Sequence, residues 1–111
     1  MSASDQAPAT ADDVFAALAS PVRRDLLRLL LGGTRTVNEL AAHFDMSRPS
    51  VSEHLRVLRD ARLVSERKAG RERHYSLEPR PLLELRDWLN PYEKFWRQRM
   101  RALRDALEEE P

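Results

Sequence analysis

The sequence predicts a mainly helical domain that carries one small β-hairpin and ends in a long helix. Apolar residues recur every three or four positions through most of the 111 residues, as they do on one face of a helix. The spacing changes to rough alternation only between residues 63 and 77, and helical spacing returns after Pro81. The composition, 41% hydrophobic and 33% charged, is typical of one soluble domain, which we expect in the cytoplasm.

The composition also excludes several classes of function. The chain has no cysteine, which excludes disulfides, thiolate metal ligands and a cysteine nucleophile. No window approaches the ~18 uninterrupted apolar residues of a transmembrane helix, and the N-terminus lacks the order of a signal peptide. A phosphate-binding glycine loop, an HExxH motif and a nucleophile elbow are all missing. We therefore expect no membrane association, no cofactor and no enzymatic activity.

Two helices are predicted in the first third of the chain. Residues 1–10 are small and polar, which indicates a disordered tail. The first helix begins at Asp12 and places three apolar residues on one side, Val14, Phe15 and Leu18. Ser20 is the expected cap of the second helix, because Pro21 follows it at a position where the missing N–H does no harm. This leucine-rich helix ends at the glycine pair 32–33.

The next two helices are short and close together in sequence. Residues 36–44 have helical spacing, with an inward set of Val37, Leu40, Ala41 and Phe44. A turn at 45–47 separates them from a helix over 48–61, whose inward set is Val51, Leu55 and Leu58. The hairpin follows directly, with strands at 63–67 and 73–77 and a turn at 68–72. Two helices joined in this way and followed by a basic hairpin form a winged helix-turn-helix pattern over residues 11–78.

This pattern predicts DNA binding, because the second helix of the pair carries polar and basic residues on its outer face. Hydroxyl groups in its first turn lie where the helix dipole favours a phosphate, and Arg56 can reach a guanine or a phosphate. Basic residues at the hairpin tip would lie along the adjacent DNA backbone or minor groove. The predicted DNA contacts are Ser47, Arg48, Ser50, Ser52, His54, Arg56, Arg67, Lys68, Arg71 and Arg73.

The charge distribution agrees with this prediction. The net charge is only +1, but residues 1–20 carry −3 while 21–60 and 61–78 carry +2 each. Seventeen of the 19 basic residues are arginine, whose fork suits phosphates and guanine edges. Glu53 and Asp60 are acidic residues directly opposite the core, and Glu53 can either accept a hydrogen bond from a cytosine amine or repel phosphates. The sequence leaves these two alternatives open.

The last segment, residues 79–111, predicts a dimerisation helix or a kinked pair of helices. Asn90 and Pro91 look like a cap and a first helical residue, so a new helix or a kink is expected there. Its aromatic stripe is either a dimer interface or the wall of a pocket for a small apolar effector. The predicted interface comprises Phe15, Leu18, Leu85, Trp88, Leu89, Tyr92, Phe95, Trp96, Met100 and Leu103.

Three stretches of the chain resemble the ArsR/SmtB-type bacterial repressors. They read FAALASPVRRDLLRLLL, TVNELAAHFDMSRPSVSEHLRVLRDARLV and GRERHYSL, and together they cover roughly residues 12–78. The resemblance implies a homodimer with the first and last helices at its interface. It also implies a palindromic promoter site on double-stranded DNA and repression that an effector, here of unknown identity, relieves. A winged-helix module that binds protein instead of DNA is the alternative from another class.

The sequence departs from the family pattern at functionally informative positions. Metal-sensing members carry Cys-Val-Cys-Asp-Leu before the turn, whereas this chain has Thr36-Val37-Asn38-Glu39-Leu40 and no histidine after His74. We therefore expect no metal at the usual family sites. Arg62 stands where the family commonly has glycine. A left-handed turn at that position would cost an arginine about 1 kcal/mol.

Overall fold

A computed structural model describes residues 10–109 and shows five helices and a small antiparallel sheet among them. The elements are α1 (Ala11–Ala17), α2 (Pro21–Leu30), β1 (Arg35–Thr36), α3 (Val37–Ala41), α4 (Arg48–Asp60), β2 (Val64–Ala69), β3 (Glu72–Leu77) and α5 (Leu82–Glu108). The mainly helical class with a β wing and a long C-terminal helix is thereby confirmed.

Side-chain caps fix the starts of the first four helices. Thr10 and Thr36 each form a capping box with the acidic residue three positions on, and Ser20 and Ser47 each accept a hydrogen bond from the third helical N–H. The caps predicted at Ser20 and Ser47 are therefore present. Thr10 belongs to the helix cap and not to the predicted disordered tail, whose other residues, 1–9, lie outside the described part of the chain.

The hydrophobic core lies where α4 packs against α2, α3 and the sheet. The three predicted inward residues of α4, Val51, Leu55 and Leu58, are fully buried. Because burial of each such side chain stabilises the fold by roughly 1.5–3 kcal/mol, this face anchors α4 firmly. Its opposite face is left to solvent.

The wing is a longer hairpin with a tighter turn than the alternation of the sequence predicts. β2 and β3 pair from Val64 opposite Leu77 to Ala69 opposite Glu72, which leaves a turn of two residues where five were expected. Gly70 has φ +64°, as the first central residue of a type II′ turn requires. A third strand, β1, pairs with β3; its two residues are too few to show an alternating pattern.

The connection between α4 and the wing is a left-handed turn at Arg62, with φ +62°. The N–H of Arg62 donates to the Arg59 carbonyl, and that of Leu63 to the Leu58 carbonyl, both at 2.9 Å. These two bonds form a Schellman motif, which normally has glycine at the left-handed position. Arg62 therefore has the left-handed conformation whose cost was considered from the sequence.

The C-terminal segment is one helix of 27 residues, which continues through Pro91. The prediction that Asn90 caps a separate helix is therefore wrong, since Asn90 is itself helical. Proline at Pro91 removes one helical hydrogen bond, and the carbonyl that loses its partner is that of Asp87. Because Asp87 and Pro91 are both exposed, water can satisfy this carbonyl and the helix continues.

Candidate nucleic-acid interface

The outer face of α4 and the wing line one groove, with a cavity volume of about 470 Å³. Most of its lining side chains are charged or polar, namely Arg48, Ser52, Glu53, Arg56, Arg59, Glu66, Arg71 and Arg73. The other lining residues are Val37, Pro49 and Tyr75. Five of the ten predicted DNA contacts thus lie in this groove. The fold places the helix and the wing side by side because α4 leads into β2 through the turn at Arg62.

The first turn of α4 is exposed, but it offers fewer N–H groups than the sequence implies. Ser47 Oγ accepts the Ser50 N–H at 3.2 Å and lies 2.9 Å from Ser50 Oγ. Pro49 has no N–H, so neither the second nor the third helical position has a free donor for a phosphate. Ser47 and Ser50 can still contact DNA through their hydroxyls, and Arg48 through its guanidinium.

Arg56 lies at the centre of an ion-paired triad on the exposed face of α4. Its guanidinium donates to Glu53 Oε1 and Oε2 at 2.5–3.2 Å and to Asp60 Oδ2 at 2.8 Å. The hydrogen bonds from Arg56 lower the pKa of the Glu53 carboxyl. The triad therefore carries a net charge of −1 in the middle of a basic surface. The spacing of three and four residues between these side chains was a sequence signal that could have revealed it.

His54 lies apart from the groove, on the side of α4 that faces α2. Its Nδ1 is 3.3 Å from Arg23 Nη1. The same arginine donates to the backbone carbonyls of Ala17 at 2.6 Å and Ala16 at 3.3 Å. His54 is thus packed into a link between α1, α2 and α4. No sequence motif indicated the role of Arg23.

Glu66 joins the wing to α4 through contacts that sequence reasoning missed. Its Oε1 is 3.1 Å from Arg59 of α4 and 2.8 Å from Arg73 of β3, while its Oε2 accepts the Tyr75 hydroxyl at 2.6 Å. The bond from Tyr75 and the two arginines lower the pKa of Glu66. Burial and the Glu66 carboxylate raise the pKa of Tyr75 to about 12. Four side chains from α4, β2 and β3 therefore connect the wing to the helix.

The remaining wing cations are exposed, and they are divided between two sides of the hairpin. Arg67 lies opposite His74 in the strand register, and Lys68 lies opposite Arg73. Because side chains alternate along a strand, Lys68 shares the face of Glu66, whereas Arg67 projects from the other face. Arg71 occupies the turn and also lines the groove. All three can reach a DNA backbone without breaking a contact that holds the wing.

The predicted interface residues form a continuous apolar surface on α1 and α5. The rings of Phe15 and Trp88 meet edge to face at 5.3 Å, and those of Trp88 and Tyr92 lie 5.0 Å apart. Leu18 and Leu85 are partly buried against the core. The others are exposed over 38–62% of their surface: Phe15, Trp88, Leu89, Tyr92, Phe95, Trp96, Met100 and Leu103.

Between residues 10 and 109, no three or more histidine, aspartate or glutamate side chains come together in a way that could hold a metal ion. Over the same range, none of the helices combines the length and the apolarity that a membrane crossing requires.

Known proteins of the same architecture identify the family. Residues 20–66 match the model of "Bacterial regulatory protein, arsR family". The transcriptional repressor SdpR of Bacillus subtilis is 38% identical over 78 residues, which cover 70% of this chain and 87% of SdpR. The HTH-type transcriptional regulator Rv2034 of Mycobacterium tuberculosis is 39% identical over 99 residues, covering 89% and 90%. The chain belongs to the ArsR family.

A solved structure agrees with this assignment. The crystal structure of the ArsR family transcriptional regulator RHA00566 superposes with a TM-score of 0.71 at 37% identity, over 78% of this chain and 89% of that one. The family resemblance seen in the sequence is thus confirmed, and so is the winged helix-turn-helix architecture. This ArsR-family chain is a DNA-binding transcriptional regulator.

Proposed function

We propose that this ArsR-family regulator is a homodimeric repressor that acts in the cytoplasm and binds a palindromic promoter site. The observation that carries the proposal is the groove in which the outer face of α4 lies beside two of the wing cations, Arg71 and Arg73. A recognition helix inserted in the major groove would bring the adjacent wing to the flanking backbone. One element then reads base edges while the other contributes phosphate contacts.

In this proposal α4 enters the major groove by its N-terminal half. Ser47, Arg48 and Ser50 meet the DNA first, and Ser52 follows on the side of the wing. Ser52 is partly buried and lines the groove, so its short hydroxyl allows close approach of the helix. The wing residues Arg67, Lys68 and Arg71 lie on phosphates, with Arg73 held in place by Glu66.

The apolar surface of α1 and α5 supports the proposal of a dimer. A large exposed apolar patch marks a contact surface for another protein, and aromatic residues dominate such interfaces. A two-fold axis would place two copies of α4 in successive major grooves about 34 Å apart. A palindromic site has the same two-fold symmetry, so each copy would meet an equivalent half-site.

We propose that DNA binding requires no metal at the usual family positions. Thr36, which stands where metal-sensing members have their first cysteine, is buried, and its hydroxyl accepts the Glu39 N–H at 3.2 Å to cap α3. Glu39 accepts the Thr36 N–H in return at 2.9 Å. These groups serve the helix cap, and the sequence supplies no thiolate beside them.

The test is fluorescence anisotropy with the chain's own upstream promoter DNA and a scrambled duplex, at near-physiological salt and with a chelator present. We expect the promoter to bind ~10³-fold or more tightly than the scrambled duplex. Equal, weak and salt-sensitive binding to both duplexes would contradict the proposal. Such binding is the non-specific, electrostatic interaction of a basic surface with phosphates.

A further inference from the structure

The Glu53 carboxylate is the unexplained group on the recognition helix of a protein that binds a polyanion. It lies in the second turn of α4, opposite the buried face, and its side chain is 61% exposed. It also lines the groove shared with the wing. In the proposed docking this position meets base edges and not the DNA backbone, because the N-terminal part of a recognition helix contacts bases.

Arg56 holds this carboxylate in a defined orientation. The Arg56 Nε donates to both Glu53 oxygens, at 3.1 and 3.2 Å, and Nη2 donates to Oε2 at 2.5 Å. Asp60 accepts only from Nη1 of the same guanidinium, at 2.8 Å, so its removal leaves all three bonds between Arg56 and Glu53. Each carboxylate oxygen has two lone-pair positions. Oε1 receives only the single bond from Nε, so one lone pair of Oε1 remains available for a base.

An ionised carboxylate can only accept hydrogen bonds. The donors that bases present in the major groove are the amines of cytosine and adenine. Beside the adenine amine lies the N7 acceptor, which would repel the second carboxylate oxygen, whereas cytosine presents its amine without a neighbouring acceptor of its own. A wrong base would desolvate the remaining lone pair of Oε1 without giving it a donor, which is unfavourable.

We propose that Glu53 is a specificity-determining residue that reads one cytosine in each half-site by accepting a hydrogen bond from its amine. The inference rests on the proposed function, because it requires α4 to lie in the major groove. It replaces the two alternatives that the sequence leaves open for Glu53 with one.

The experiment selects binding sites from a randomised duplex library with the parent and with Glu53→Ala. Asp60→Ala is the matched control, since it removes the same charge from the other side of Arg56 at the same exposure of 61%. We expect the parent consensus to contain one invariant cytosine per half-site. Replacing that base pair should weaken parent binding roughly 5- to 150-fold, weaken Glu53→Ala binding little, and weaken Asp60→Ala binding as in the parent.

Three results would overturn the inference. In the first, the Glu53→Ala variant selects the same cytosine as strongly as the parent. In the second, Glu53→Ala and Asp60→Ala both tighten binding to every duplex equally, which would make Glu53 a general electrostatic repeller. In the third, the invariant base is adenine. A parent library without any consensus would also remove the proposed function, which separates that failure from these three.

Discussion

The left-handed turn at Arg62 costs free energy at a position that glycine would occupy without steric conflict. A β-carbon at φ +62° crowds the neighbouring backbone, at a cost of roughly 1–2 kcal/mol. Part of this benefit is offset, because glycine loses more conformational entropy on folding than arginine does. We expect Arg62→Gly to raise the free energy of unfolding by about 1 kcal/mol, measured by urea denaturation.

Arg62→Ala is the control for this prediction, because it removes the guanidinium and its interactions but keeps the β-carbon. It should not reproduce the stabilisation. If alanine and glycine had the same effect, the side-chain interactions of Arg62 and not its backbone conformation would determine the result.

Glu66 makes the stability of the wing depend on pH. Its pKa is lowered from 4.5 in the folded chain, so its contribution is complete above about pH 4.5 and is lost as the pH falls through the folded pKa. We expect Glu66→Gln to lower the free energy of unfolding by about 1–2 kcal/mol at pH 7. The difference from the parent should shrink in acid, where the parent's Glu66 is also neutral.

Urea denaturation between pH 3 and 8 measures this dependence. Glu72→Gln removes a glutamate from an exposed position of the same hairpin and should leave the unfolding curve almost unchanged. A difference between parent and Glu66→Gln that stays constant over this range would contradict the prediction.

At the scale of elements, the wing is expected to supply phosphate contacts through its exposed cations. Lys68→Ala combined with Arg71→Ala removes two of them while keeping the Arg73 contact with Glu66. Each lost phosphate contact changes the slope of log K against log salt by about 0.9. The double variant should therefore flatten the slope for promoter binding by about two units, measured by anisotropy over a salt series.

Arg28→Ala combined with Arg86→Ala makes the same change in charge outside the groove. These side chains are 72% and 71% exposed, on α2 and α5. This control should leave the slope unchanged. If the wing variant kept the parent slope, the wing would not contact phosphates.

Local signals predicted the helices well, because each one is specified by neighbours in sequence. Ser20 and Ser47 are followed by prolines near the helix start, and Val51, Leu55 and Leu58 repeat with the helical period. The Glu66 cluster could not be predicted in this way. Arg59, Arg73 and Tyr75 contact the Glu66 carboxylate only once the hairpin has formed and packed against α4. Pro91 misled the prediction, because an exposed helix can hydrate the carbonyl that proline leaves unbonded.

The whole molecule is much more extended than its length requires. A compact domain of 111 residues has a radius of gyration of about 13 Å, whereas this chain has 19.0 Å and measures 69 × 38 × 20 Å. The 27 residues of α5 account for this shape, because that helix spans roughly 40 Å and none of its residues is buried. Such a helix gains little stability from packing against its own chain. Its stability depends on a surface that covers the aromatic stripe.

If a second copy provides that cover, charges placed in the stripe should separate the copies without unfolding the winged domain. Phe95 and Trp96 are 55% and 62% exposed, so glutamate at both positions is tolerated in a monomer but desolvated in a dimer. We expect the parent to have about twice the chain mass of 12.9 kDa by light scattering, and Phe95→Glu/Trp96→Glu to have the mass of one chain.

The same variant connects assembly to DNA binding. A dimer holds two recognition helices at a fixed spacing, so binding of the second half-site is intramolecular and adds affinity without new contacts. The double variant should therefore lose the preference of the parent for a full palindrome over a single half-site, while its weak half-site binding is kept. Leu31→Glu alters a leucine of 73% exposure next to α2 and should change neither mass nor preference. A charged double variant that stayed dimeric would mean that another surface joins the copies.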